Sequence, residues 1–108
     1  MQKEYTDLEV WQKARTLAGE IYAVSKIFPK EELFGLTNQI RRSAVSVPSN
    51  IAEGCGRNHT KDSLQFFYIA RSSLYGLETQ VYISFDQTYI NPETLNHLLT
   101  NISPAKSS

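Results

Sequence analysis

Between Phe34 and Arg57, in FGLTNQIRRSAVSVPSNIAEGCGR, the apolar residues Leu36, Ile40, Ala44, Val47 and Ile51 recur at steps of four, four, three and four. That spacing places them on one stripe of an α-helix and excludes a strand, whose successive side chains alternate between faces. Asn38, Gln39, Arg42, Ser46, Ser49, Asn50, Glu53 and Arg57 fall on the opposite side, which is therefore expected to be wet. Pro48 removes the amide that would bond the Ala44 carbonyl and pushes its ring towards that carbonyl. A kink is expected there, with a complete break as the alternative. Gly54 and Gly56 read as residues that take positive φ and end the helix.

The same periodicity organises the rest of the chain. Thr6 and Glu9 have the spacing of a capping box, and Val10, Ala14, Leu17, Ile21, Val24 and Phe28 then step by four, three, four, three and four. Trp11, Ala18 and Tyr22 widen this seam, and Pro29 stops it, predicting a first helix near 7–28. The link from Pro29 to Leu33 is short, so the first helix and the second, near 34–56, are expected to be antiparallel.

Thr60 reads as the N-cap of a third helix near 60–88. Phe67, Ala70, Leu74, Leu77, Val81 and Phe85 form its central stripe, and Tyr68, Tyr75, Tyr82 and Tyr89 form a second at a spacing of seven. With Phe66 and Ile69 on the other flank, the apolar arc is wider than the ~100° of an ordinary surface helix. This helix is then either the centre of the bundle or part of an intersubunit surface. Asn91-Pro92-Glu93 has the chemistry of a fourth N-terminus, followed by Leu95, Leu98, Leu99 and Ile102. Pro104 is expected to end that helix after barely three turns, leaving a frayed tail over 103–108. The whole predicts one domain, 1–108: an all-α, antiparallel up-and-down four-helix bundle with a kinked second helix and a short fourth.

Lys plus Arg equals Asp plus Glu at eleven each, which argues against a general nucleic-acid coat and leaves room for a local basic patch. The single cysteine, Cys55, has no internal disulfide partner, and no apolar run approaches the ~20 residues of a membrane span. The start MQKEYTDLE has no signal-peptide core, so a cytoplasmic chain without membrane contact is expected.

Glu78 and Arg71 both point into the apolar arc of the third helix at about 100° per residue. A charge facing a core needs a partner, and Arg41, beside the apolar stripe of the second helix, is the candidate for Glu78. A structural ion pair is favoured over an active-site carboxylate, because no second acid, base or nucleophile stands at a recognisable spacing. Glu20, Glu53 and Glu78 have no histidine three residues on, while His59 falls in a loop and His97 on the last helix. Neither a metal nor another cofactor is expected. Gly54-Cys55-Gly56-Arg57 is a helix end rather than a phosphate loop, since no strand precedes it and no Lys-Ser/Thr follows. Arg42, Arg57 and Asn50 are the candidate nucleic-acid contacts, although Glu53 in their midst fits a plain solvated face. Trp11, Tyr68, Tyr75, Tyr82 and Tyr89 are the candidate oligomer interface, because an arc so wide calls for self-association.

DLEVWQKAR (Asp7 to Arg15), FPKEELFGLTNQIRRSAVSVPSNIAEGCGR (Phe28 to Arg57) and SLYGLETQ (Ser73 to Gln80) resemble the signatures of four-helix-bundle proteins encoded in intervening sequences of bacterial 23S rRNA genes. The resemblance runs from Tyr5 to Ile90, and Arg41, Arg42, Pro48, Asn50, Glu53, Gly54, Glu78 and Thr79 match the family pattern. It implies a homopentamer without established enzyme activity. That family is similar to the accessory variability protein of diversity-generating retroelements, a basic pentameric barrel that binds nucleic acid and a reverse transcriptase. The resemblance therefore admits two expectations: an RNA or ribonucleoprotein accessory factor, or an oligomer with no nucleic-acid contact.

Overall fold

The computed structural model describes residues 4–106. A 3-10 turn, Tyr5–Asp7, leads into α1 (Glu9–Ser25); a second, Lys30–Glu32, leads into α2 (Leu36–Cys55). Then come α3 (Thr60–Asp86) and α4 (Pro92–Lys106), with no strand among the described residues. Helix α2 packs on α1 and α3, and α4 packs on α3 and α1, so the contacts close around one core. That core is the set of stripes expected from the spacing: Ala14, Leu17 and Ile21; Ile40, Ala44, Val47 and Ile51; Ala70, Leu74, Leu77 and Val81; and Leu95, Leu98 and Ile102. Each large side chain in it contributes about 1.5–3 kcal/mol of burial, which is why short helices of modest propensity hold together.

The ends of the helices differ from the expectation in instructive ways. No capping box forms at α1: Leu8 is the N-cap and no side chain caps the helix there. Thr6 lies in the 3-10 turn instead, where the Tyr5 ring meets Trp11 edge-on at 5.3 Å. The Gln12 amide donates to the Thr6 carbonyl at 2.9 Å. At α2 the capping acceptor is Glu32, whose Oε1 receives the Leu36 N–H at 3.3 Å. Helix α2 then runs unbroken through Pro48, the break being avoided by the packed stripe on either side of it.

Neither Gly54 nor Gly56 adopts positive φ. Gly54 is buried inside α2, and a Cβ there would stand 2.4 Å from the Phe67 ring, so the residue is small to let α3 approach. Gly56 caps the helix from an ordinary right-handed conformation, its N–H reaching the Ala52 and Glu53 carbonyls at 3.2 Å. The left-handed residue is Thr88, at φ 64°, after α3. The Thr88 N–H donates to the Phe85 carbonyl and the Tyr89 N–H to that of Ser84, each at 2.9 Å, which is a Schellman end.

Thr60 is the first residue of α3, with His59 in the cap position. Asn91 caps α4 as expected, Oδ1 accepting the Thr94 N–H at 2.8 Å. Pro104 does not end α4, which spans 15 residues. Buried Leu98 and Ile102 anchor its last turns, and a proline there forfeits only one backbone bond. Positions 103–106 of the expected frayed tail are thus helical, and 107–108 lie outside the described residues. Helix α4 is still the shortest of the four described α-helices.

Candidate functional site

A polar cleft runs along facing edges of α2 and α3, where most of the lining side chains are small or uncharged. Ser43 and Ser46 stand on α2 opposite Ser73 and Gln80 on α3, and the space between them opens into a cleft of about 700 Å³. Asn38, Gln39 and Arg42 line its outer wall, and Phe34 and Gly35 its mouth. The Ser73 hydroxyl donates to Ser46 Oγ at 2.9 Å, and Asn50 Nδ2 donates to the Ser46 carbonyl at 2.8 Å and to its Oγ at 2.9 Å. Gln80 Oε1 is buried in this region without a hydrogen-bond partner. Leaving such an acceptor unmade costs about 1–3 kcal/mol.

Arg42 is exposed and is the charged side chain of this lining. It also borders a second groove on the other flank of α2, about 570 Å³, where Tyr22, Arg41, Val45 and Asn50 stand. The nearest acid to the cleft mouth is Glu32, beside Gly35. Its two oxygens are engaged by the Leu36 N–H and, at 2.8 Å, by the Tyr89 hydroxyl. The carboxylate that accepts this hydrogen bond raises the Tyr89 phenol above its ordinary range.

The expected site residues are not all gathered. Arg42 and Asn50 share the polar face of α2, whereas Arg57 lies past the end of the helix, its guanidinium 4.4 Å over the Phe66 ring. Roughly 20 Å of helix separates it from Arg42. Arg41 is half-buried; its Nε donates to Ser25 Oγ at 2.8 Å and its guanidinium covers the Tyr22 ring at 4.9 Å. Glu78 is half-buried, one position after fully buried Leu77 and so about 100° round the helix from it. Arg71 is exposed, over Tyr75 at 6.0 Å, and does not face a core.

Tyr68, Tyr75 and Tyr82 are exposed together on the outward face of α3. Tyr89 leaves the ladder: its ring packs 5.3 Å from Phe28 and its hydroxyl is bound to Glu32, so it braces the chain internally. Trp11 is half-buried between Tyr5 and Arg15.

Sequence reasoning missed several participants. His97 Nε2 pairs with Glu20 Oε2, and Asn101 Nδ2 donates to Glu20 Oε1 at 2.8 Å, tying α4 to α1. The signal was there: His97 and Asn101 are four apart and share one face. Gln80, Ser43 and Ser73 carried no such pattern. At the far end of the α2–α3 pair, Leu8, Val10, Ile51, Cys55, Leu64 and Phe67 border an apolar groove of about 350 Å³. Burial there pushes the Cys55 thiol up. No three His, Cys, Asp or Glu side chains gather at metal-binding distance among the described residues.

These features define an all-α, four-helix protein with a polar cleft on one face of its α2–α3 pair, and none of its described helices is long and apolar enough to cross a membrane. The family model for the 23S rRNA-intervening sequence protein matches residues 6–107, and the chain belongs to that family. A search among curated proteins finds no match.

Proposed function

We propose that this chain is a non-catalytic, self-associating bundle of antiparallel helices, with α2 bent at Pro48, that acts in the cytoplasm as an accessory to RNA or a ribonucleoprotein. The observation that carries the RNA reading is the cleft lining. Arg42 is its charged residue, and amides and hydroxyls make up most of the remaining wall. Cations with amide and hydroxyl donors are what phosphate and sugar contacts require. A neutral chain binds nucleic acid weakly one copy at a time. A ring sets several Arg42 side chains on one ligand and multiplies that weak contact. The five-fold number comes from the family resemblance. The exposed face of Tyr68, Tyr75 and Tyr82 on α3 supplies apolar surface for association, and half-buried Trp11 on α1 is a separate candidate for it.

A second reading, a purely structural oligomer, is favoured by the exposed Glu53 on the same face as Arg42. Single-stranded RNA binding titrated against salt, on material whose mass is fixed by light scattering, separates the two. The RNA reading expects log K to fall with log salt at about 0.7 per neutralised phosphate, and Arg42→Ala to reduce both slope and affinity. Absence of binding at about 50 mM salt leaves only the structural oligomer. A monomer mass unchanged on dilution removes the ring.

A further inference from the structure

Tyr68, Tyr75 and Tyr82 stand seven residues apart on α3 and are 62%, 47% and 47% exposed. Ser72 and Thr79, both exposed, fall between them at steps of four and three. The row continues at the same steps to Gln65 and Lys61 in one direction and to Asp86 in the other, all three exposed. At about 100° per residue it runs along the side of α3 opposite buried Leu77 and Val81. A seven-residue repeat drifts only about 20° per heptad, so the row keeps to one line along the helix. It has the spacing of a coiled-coil seam, on a face turned away from its own core.

The row is complementary to itself when reversed. Ser72 and Tyr75 lie equally far from its midpoint, and so do Thr79 and Tyr68, Gln65 and Tyr82, and Lys61 and Asp86. Each tyrosine therefore corresponds to a smaller polar residue, and the lysine to the aspartate. We propose that this face of α3 docks on the same face of a second copy, antiparallel, about a two-fold axis that passes between Ser73 and Leu74. Each tyrosine ring then covers a smaller side chain of the other copy, and Lys61 faces the Asp86 carboxylate at both ends. This rests on the self-association reading above and names its geometry at one surface. A parallel pairing sets tyrosine on tyrosine, lysine on lysine and aspartate on aspartate, and like charges repel. RNA bases are served less well, because a stacking platform lies in a basic groove and this row carries one cation and one anion. A two-fold contact closes at two copies, so a ring built on other surfaces would be joined in pairs by it.

The test follows the mass of the full chain by light scattering from about 1 to 100 µM, since one helix pair is a small interface and is expected to dissociate in that range. Lys61→Glu and Asp86→Lys each put like charges together at both ends of the contact. Each is expected to weaken association about tenfold, and the double variant to restore it. Both changes favour the α3 dipole, so unfolding does not account for the loss. Ser72→Arg, at an exposed position, is expected to weaken association about a hundredfold. Orientation is read by crosslinking in a Cys55→Ser background. Ser72→Cys is expected to form an intermolecular disulfide on mild oxidation, whereas Gln65→Cys, about 25 Å from its counterpart along the paired helices, is not. An assembly whose mass ignores the charge variants, or equal crosslinking at the two positions, overturns the antiparallel contact and leaves self-association standing. A monomer at every concentration overturns both.

Discussion

The two ends of the α2–α3 pair are chemically unlike. Towards the start of α2 the seam between the helices is lined by Ser43, Ser46, Ser73 and Gln80 and is polar. Near its end they are separated by Gly54 against Phe67, and the gap beside them, lined by Ile51, Leu64 and Leu74, is apolar. The difference lies first in the residue types of the two linings, and helix length adds to it. Helix α3 has 27 residues and α4 has 15. At 1.5 Å per residue they span about 40 and 22 Å, so α4 covers only part of its neighbour. In the half of α3 nearer α4, the central stripe Leu74, Leu77 and Val81 is buried. Beyond its reach, Leu64, Phe67 and Tyr68 stay exposed and Arg71 sits in solvent.

The largest expected effect sets the sealed end against the open one. Leu77 is fully buried, and Leu77→Ala is expected to cost about 2–5 kcal/mol in denaturant unfolding. Leu64 borders the open groove, and Leu64→Ala is expected to stay within about 0.5 kcal/mol. Similar losses at both positions would mean that the groove is covered in solution.

Next comes the close approach at Gly54. A methyl group there meets the Phe67 ring, and overpacking costs about 1–3 kcal/mol, against a gain of about 0.5–1 kcal/mol from replacing glycine within a helix. Gly54→Ala should therefore lose about 1 kcal/mol net, and Phe67→Ala in the same chain should relieve the clash. If Gly54→Ala stabilises the protein outright, the half-exposed ring swings aside freely and the contact does not set the helix spacing.

How much of this was legible beforehand depends on the kind of signal. The buried stripes, the Asn91 cap and the wet face of α2 were readable, because each is a local periodicity or a side chain acting on its own backbone. The role of Gly54 was misread, since glycine marks a left-handed turn and a close approach with the same letter, and only the position of Phe67 decides between them. Arg71 was misplaced because periodicity gives the direction of a residue round its helix and not which stretch of that helix a neighbour covers. The cleft was invisible for a further reason: serine and glutamine at helix positions signal nothing until a second helix stands opposite.

The polar end is braced by the Tyr89–Glu32 hydrogen bond, which gives it a smaller, alkaline signature. The phenol pKa is raised in the folded chain, first by that bond and then by desolvation and the charges of Glu32 and Glu31. A raised folded value means the stabilisation is complete below the unfolded pKa of about 10 and is lost as pH rises through the folded one. Tyr89→Phe should be less stable than wild type at neutral pH and lose less stability above about pH 10. Parallel pH profiles for the two chains would show that the bond does not brace the fold.

The smallest effect concerns reactivity alone, at the apolar end. Cys55 is exposed as a residue but borders the groove, where burial raises the thiol pKa. The thiolate is the nucleophile, so a raised pKa leaves less of it at pH about 8, near the ordinary thiol value. Alkylation by iodoacetamide should therefore be slower than that of free cysteine and should climb with pH past the point where the free thiol levels off. Phe67→Ala removes one wall of the groove, letting water reach the sulfur, and should move the rate towards that of the free amino acid. Arg71 lines the same groove, and a cation close to the sulfur would favour the thiolate. Alkylation faster than free cysteine would mean that this charge outweighs desolvation. The far end of the pair would then be electropositive as well as apolar, so both ends would present a cation, Arg42 in the cleft and Arg71 in the groove.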